Sequence, residues 1–166
     1  MPFDYESATT AVVNALNGYN TTTSTPDLSA GMTRRVRAVY RTDPEIFNPR
    51  GDVFPVVLVR IVSKDEEFGG LGRTGGAGRA AKYATVNYDV VGLYRKDGAH
   101  TSHSTLTFEV QRLAENIEGV FQRELTLSGS ALWCSPTRTD FMSPYGENET
   151  WIKGIKVSLE ARYMFQ

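Results

Sequence analysis

The sequence predicts an α+β protein: a mostly antiparallel sheet with one extended hairpin, flanked by two helices on one side. Three observations carry this. Two segments repeat their apolar residues at helical spacing, and several others alternate with period two or run continuously β-branched. The resulting order, helix, three strands, helix, two strands, lacks the regular β-α-β alternation that a parallel sheet requires.

The first helix is predicted from Tyr5 to Asn17. Asp4 is suited to cap it, Phe3 stands where a hydrophobic staple would, and Ala8, Val12, Ala15, Leu16 and Tyr19 recur on one face. The polar tract from Asn20 to Asp27 is a connector, because its residues favour turns. From Thr33 to Arg41, Val36, Ala38 and Tyr40 alternate with Arg35, Arg37 and Arg41, Val39 breaking the pattern, which predicts a strand with one basic face. Asp43-Pro44 and Asn48-Pro49-Arg50-Gly51-Asp52 mark turns. Val53 to Val62 is nearly all apolar, as expected of the central strand covered on both faces.

Lys64 to Ala80 holds six glycines among mixed charges and reads as a long flexible arm within the hairpin. Lys82 to Tyr94, rich in Tyr, Val and Thr, is its return strand, antiparallel to Val53–Val62. After the turn at Lys96-Asp97-Gly98, Leu106, Val110, Leu113, Ile117, Val120, Phe121 and Leu125 define the principal helix, with Glu109, Arg112, Glu115 and Glu118 on its other faces. Ser130–Cys134 is a short strand and Ser135–Asn148, with Pro136, Pro144 and Gly146, a loop. Ile155 to Phe165 alternates most cleanly and closes the sheet.

A chain of 166 residues is expected to form one domain, residues 1–166, with a core of its own. Eighteen basic against nineteen acidic residues give no global attraction for polyanions or anionic lipid, so any such contact must be local. The one cysteine, Cys134, allows no intramolecular disulfide and reads as a small buried thiol. The first residues lack the basic start and apolar stretch of a signal peptide, and no apolar run nears the roughly 18 residues of a membrane span, so the expectation is a cytosol-like setting.

Catalytic chemistry finds little support. Gly70-Leu71-Gly72-Arg73-Thr74-Gly75 matches the letters of a dinucleotide fingerprint, yet a strand follows where a helix N-terminus should receive the pyrophosphate, so no cofactor is expected. His100 and His103 lack further ligands for a metal, and Ser104 and Cys134 sit in no nucleophile turn; no enzyme activity is expected. Arg34, Arg35, Arg37 and Arg41 form the densest basic cluster, suited to phosphate contact, to ion pairing between subunits, or to protecting a solvated edge strand. The arm, with Phe68, Leu71, Arg73 and Arg79, is suited to ordering itself on a neighbouring subunit, because loops beyond about 12–15 residues tend to be functional or disordered.

The element order (an amphipathic N-terminal helix, a long hairpin over Val53–Tyr94 with a large loop, one main helix over Leu106–Leu125, and a closing strand within Trp151-Ile-Lys-Gly-Ile-Lys-Val-Ser-Leu-Glu-Ala-Arg-Tyr163) resembles the tail terminator, or tail completion, proteins of tailed bacteriophages. The resemblance implies a homohexameric ring in the neck of the virion, assembled in the host cytoplasm. That ring would cap the tail tube protein and join it to head–tail connector proteins, with DNA passing through its lumen without sequence-specific contact and no membrane partner. It further implies that the arm reaches a neighbouring subunit or the tube, and that the arginine strand faces the lumen or an interface. A stopper, an adaptor or a tail tube subunit is the near alternative; from another class, a nucleic-acid-binding module would use the arginine strand with Tyr40 and Tyr83 as stacking partners.

Overall fold

In the computed structural model, the described residues are 2–42, 54–68, 82–96, 103–147 and 150–165. They form α1 (Tyr5–Gly18), β1 (Ala38–Arg41), β2 (Val56–Phe68), β3 (Lys82–Lys96), α2 (His103–Arg123), β4 (Trp133–Phe141), β5 (Tyr145–Glu147) and β6 (Thr150–Phe165). The sheet runs β1-β2-β3-β6-β4, with β5 paired to β6 beside this path. Every pairing is antiparallel except β1 with β2. The fold is thus α+β, with a mixed but mostly antiparallel six-stranded sheet.

Both helices pack on one face of the sheet. Val12 and Leu16 of α1, and Leu106, Val110, Leu113, Ile117, Val120 and Phe121 of α2, share one core with Val57, Val59, Tyr88, Val90, Ile155, Val157 and Leu159. Burying such a side chain stabilises the fold by roughly 1.5–3 kcal/mol, so the seam along α2 far outweighs any single propensity term. Asp4 caps α1 by accepting the Ser7 backbone N–H at 3.0 Å. Phe3, rather than serving its own helix alone, stacks edge-on against Tyr163 and Phe165 at the end of β6. On the other face a smaller apolar cluster of Phe54, Val56, Leu58, Val91 and Leu93, joined by Ile152, covers one end of the sheet. Val56–Val59 are thus buried on both sides as expected, whereas Val62, in the same expected strand, is 56 % exposed.

The structure corrects several expectations. The strand in the middle of the sheet is β3, whose two neighbours are β2 and β6. Lys64–Phe68 is not part of an arm but continues β2, laddered residue for residue onto β3 from Lys64↔Val86 to Phe68↔Lys82. Its charges are tolerated because this end of the strand is largely exposed and supplied with partners. The Lys64 ammonium pairs with Glu66 and lies 5.1 Å from the Tyr5 ring centroid, and Arg162 reaches Glu67 at 2.8 Å. The expected basic strand shrinks to Ala38–Arg41, with Val39 rather than Tyr40 turned into the core. Half of the expected loop after Cys134 is β4, where Pro136 is accommodated because the strand lies at the sheet edge and its register shifts between Pro136 and Arg138. Glu109, expected on an outer face of α2, is buried to 2 % exposure.

Candidate functional site

The segment before β1 is built as a platform. The Thr33 backbone N–H donates to both carboxylate oxygens of Glu109, each at 3.1 Å, and its hydroxyl donates to the same group. The Val36 N–H donates to Ser29 Oγ at 2.9 Å, Asn20 Nδ2 donates to the Val36 carbonyl at 2.9 Å, and the Arg37 N–H donates to the Pro55 carbonyl at 2.7 Å. Asn116 of α2 holds the approach to it, donating to the Leu28 and Ala30 carbonyls at 3.0 Å each. These bonds occupy backbone groups that no strand ladder satisfies, which is why this irregular stretch is fixed.

On this platform Arg34, Arg35 and Arg37 come together, lining a cleft of about 530 Å³ with Asn20, Thr33 and Val36. Their roles differ. Arg35 forks onto Asp27, Nη1 to Oδ2 at 2.8 Å and Nη2 to Oδ1 at 2.9 Å, with Asn20 Oδ1 at 3.3 Å. Burial by itself raises the Asp27 carboxyl, but the Arg35 guanidinium and the Ser29 amide outweigh it and hold the group below its ordinary value. Arg34 and Arg37 stand exposed at the rim. Arg41 does not join them: it sits on β1 and pairs with Glu6 of α1 at 3.3 Å. The expected single basic face is therefore a three-arginine cleft plus one separate surface pair.

The second predicted site, the arm, is described only at its base. Phe68 ends β2 and is 75 % exposed, with the Lys82 ammonium 5.3 Å from its ring centroid. Leu71, Arg73 and Arg79 lie outside the described residues. A third surface gave no signal in the sequence. Along the outer edge of the sheet, β4 and the turn into β5 leave Phe141 55 % and Tyr145 52 % exposed, with Met142 between them.

Of the residues that motivated weak catalytic readings, Cys134 alone has a described side chain. Cys134 is buried, its thiol raised by burial to about 12, and among the described residues no group of three or more His, Cys, Asp and Glu side chains could hold a metal ion. His103 begins α2, and His100 lies outside the described residues. Among the described residues no helix is long and apolar enough to cross a membrane. No family model matches the chain, and no curated protein matches it in sequence.

Proposed function

We propose that the chain is a structural subunit of a homo-oligomeric ring, of the kind that terminates the tail tube of tailed bacteriophages and joins it to the head connector. The observation that carries this reading is the far end of the β2–β3 hairpin. It extends into a strand end that is largely exposed, carries the 75 % exposed Phe68, and continues into the glycine-rich residues 69–81. β2, β3 and β6 end together here, with Lys82 paired to Phe68 on one side and Phe165 on the other, and Phe68 beside the exposed Met164 is suited to burial against a neighbour.

The two sheet edges support the same reading. A ring of identical subunits needs a head-to-tail interface, with two different and complementary sides on each subunit. Here the edges do differ: β1 is four residues long, paired in parallel and flanked by arginines, whereas β4 is nine residues long and flanked by Trp133, Phe141 and Met142.

The test is the solution mass by light scattering over a concentration series, for the full chain and for a variant in which residues 69–81 are replaced by a short Gly-Ser turn. The expected result is one discrete ring-sized species for the full chain and dissociation for the variant. Open-ended polymers would favour a tube subunit, and a monomer at every concentration for both proteins would refute self-assembly.

A further inference from the structure

We infer that copies of this chain join by extending one sheet into the next. The free outer edge of β2 over Ile61–Phe68 takes the outer edge of β4 over Arg138–Phe141 of a second copy, antiparallel, with Asp65 opposite Arg138. This rests on the ring reading above and names the two surfaces that a head-to-tail ring would join. β1 covers β2 only from Val56 to Val59, and the Thr42 N–H, donating to the Val59 carbonyl at 3.2 Å, is the last bond between them among the described residues. β2 continues to Phe68, laddered to β3 alone. Alternate residues of Ile61–Phe68 therefore turn their N–H and C=O groups to solvent, a row that an added extended strand completes. Val62, left out of the ladder by the register shift between Ile61 and Ser63, stands on this edge 56 % exposed.

The edge of β4 is open over one half only. In its first half the Cys134 N–H already donates to the Leu125 carbonyl at 2.6 Å, and Pro136 has no N–H to give. Beyond the register shift the Met142 N–H points inward, to the Gly154 carbonyl at 2.9 Å, so alternation turns the backbone groups of Thr139 and Phe141 outward. Charge then selects the partner. Lys64 is held by Glu66 and Glu67 by Arg162, which leaves Asp65 with no ion pair among the described residues. On β4, Arg138 and Lys156 share the single carboxylate of Asp140, so one cation is in excess there. Two β2 edges paired with each other would instead set like charges together. Asp65 pairs with Thr85 and Arg138 with Ser158, positions that alternate with the buried Val86 and Val157, so both lie on the face away from the helices. One continuous sheet brings them to the same side. In that antiparallel register the second copy's Phe141, 55 % exposed, falls opposite Val62, and each covers the other. β4 ends at Phe141, so the added strand stops before it would meet β1.

The test crosslinks the two edges in the full chain. V62C/F141C is treated with a short bis-maleimide and run on a denaturing gel beside V62C, F141C and wild type, with the buried Cys134 as an unreactive background. Within one chain β3 and β6 separate the two positions, so a product of higher mass is a bond between copies. The expected result is a ladder of multimers from V62C/F141C, dimers only from an equal mixture of V62C and F141C, and monomers from either single variant by itself and from wild type. Crosslinked dimers from V62C by itself would overturn the proposal in favour of two like edges pairing. Light scattering on D65R, R138D and D65R/R138D, each checked by circular dichroism for an unchanged fold, gives a second readout. The concentration for half-assembly should rise about tenfold or more in each single variant and return toward wild type in the double. A protein that scatters as a ring yet gives neither ladder nor rescue overturns this contact and leaves ring assembly standing. A monomer at every concentration overturns both.

Discussion

Substituting Gly92 by alanine tests how α2 is seated on the sheet. Gly92 lies on β3 beneath the helix, and a Cβ there would stand 2.6 Å from Leu113 Cδ2, 3.1 Å from Leu113 Cγ and 3.0 Å from Ile155 Cδ1. Carbon atoms pack best at about 3.5–4.0 Å, so the nearest contact is roughly 1 Å too short. Leu113 and Ile155 are both fully buried and have little freedom to withdraw. Overpacking of this kind costs about 1–3 kcal/mol, while replacing glycine inside a strand returns roughly 0.5–1 kcal/mol. The expected net loss is about 1 kcal/mol, seen in urea unfolding followed by tryptophan fluorescence as a lower midpoint at unchanged slope. Leu113→Ala removes the nearest obstructing carbon and leaves only Ile155 Cδ1 at 3.0 Å, so Gly92→Ala should cost less in that background, with a coupling of about 1 kcal/mol between the two sites. Equal losses in both backgrounds, or no loss in the first, would refute the claim that Gly92 is the seat of Leu113. The consequence reaches the arginine cleft, because Glu109 and Asn116, one turn to either side of Leu113, are the side chains that hold residues 28–33.

Two further outcomes follow from buried polar groups. The hydroxyls of Tyr88 and Tyr163 meet at 2.8 Å inside the core; burial raises both above the ordinary tyrosine value, Tyr163 to about 12 and Tyr88 further. The unfolded chain ionises them near pH 10, so their contribution is intact below that pH and is lost as pH rises from about 10 through 12, by up to about 1.4 kcal/mol per pH unit for each tyrosine. Urea midpoints measured from pH 8 upward should show this alkaline fall, and Tyr88→Phe/Tyr163→Phe should flatten it; an unchanged alkaline limb would show that other groups govern it. Cys134, buried with its thiol raised to about 12, should react with a chromogenic disulfide reagent only at the rate of unfolding, whereas rapid native-state labelling would contradict its burial.

How far the sequence speaks for the structure varies with the source of each signal. The α1 cap at Asp4, the apolar seam of α2 and the alternation of β6 were legible because each is a local pattern with one physical meaning. The extension of β2 was not: Lys64-Asp65-Glu66-Glu67 carries no apolar alternation, and its strand conformation comes from pairing with β3, a contact that sequence spacing does not encode. Pro136 misled in the same direction, since proline excludes a central strand but not an edge, and the position of β4 at the edge is set by the whole sheet. The arginine cluster was visible as composition. Its division into Arg35 bound to Asp27, Arg41 bound to Glu6, and Arg34 and Arg37 at a cleft rim depends on how the connector folds back. A glutamate inside the apolar repeat of α2, at position 109 between Leu106 and Val110, was the one available hint of the platform, because a carboxylate on a core-facing stripe must find hydrogen-bond donors.

The position of β6 bears on how the chain reaches its native state. Residues 150–165 form neither edge of the sheet but lie between β3 and β4, and those two strands meet only through them. During synthesis β3 therefore waits with one long side open, exposing a row of backbone donors and acceptors to any passing strand. Most of the sheet closes late and through contacts distant in sequence, a topology that slows folding and lengthens the period of aggregation risk. Yield on expression should consequently respond more to changes in β6, such as those that slow its docking, than to changes of equal equilibrium cost at either edge.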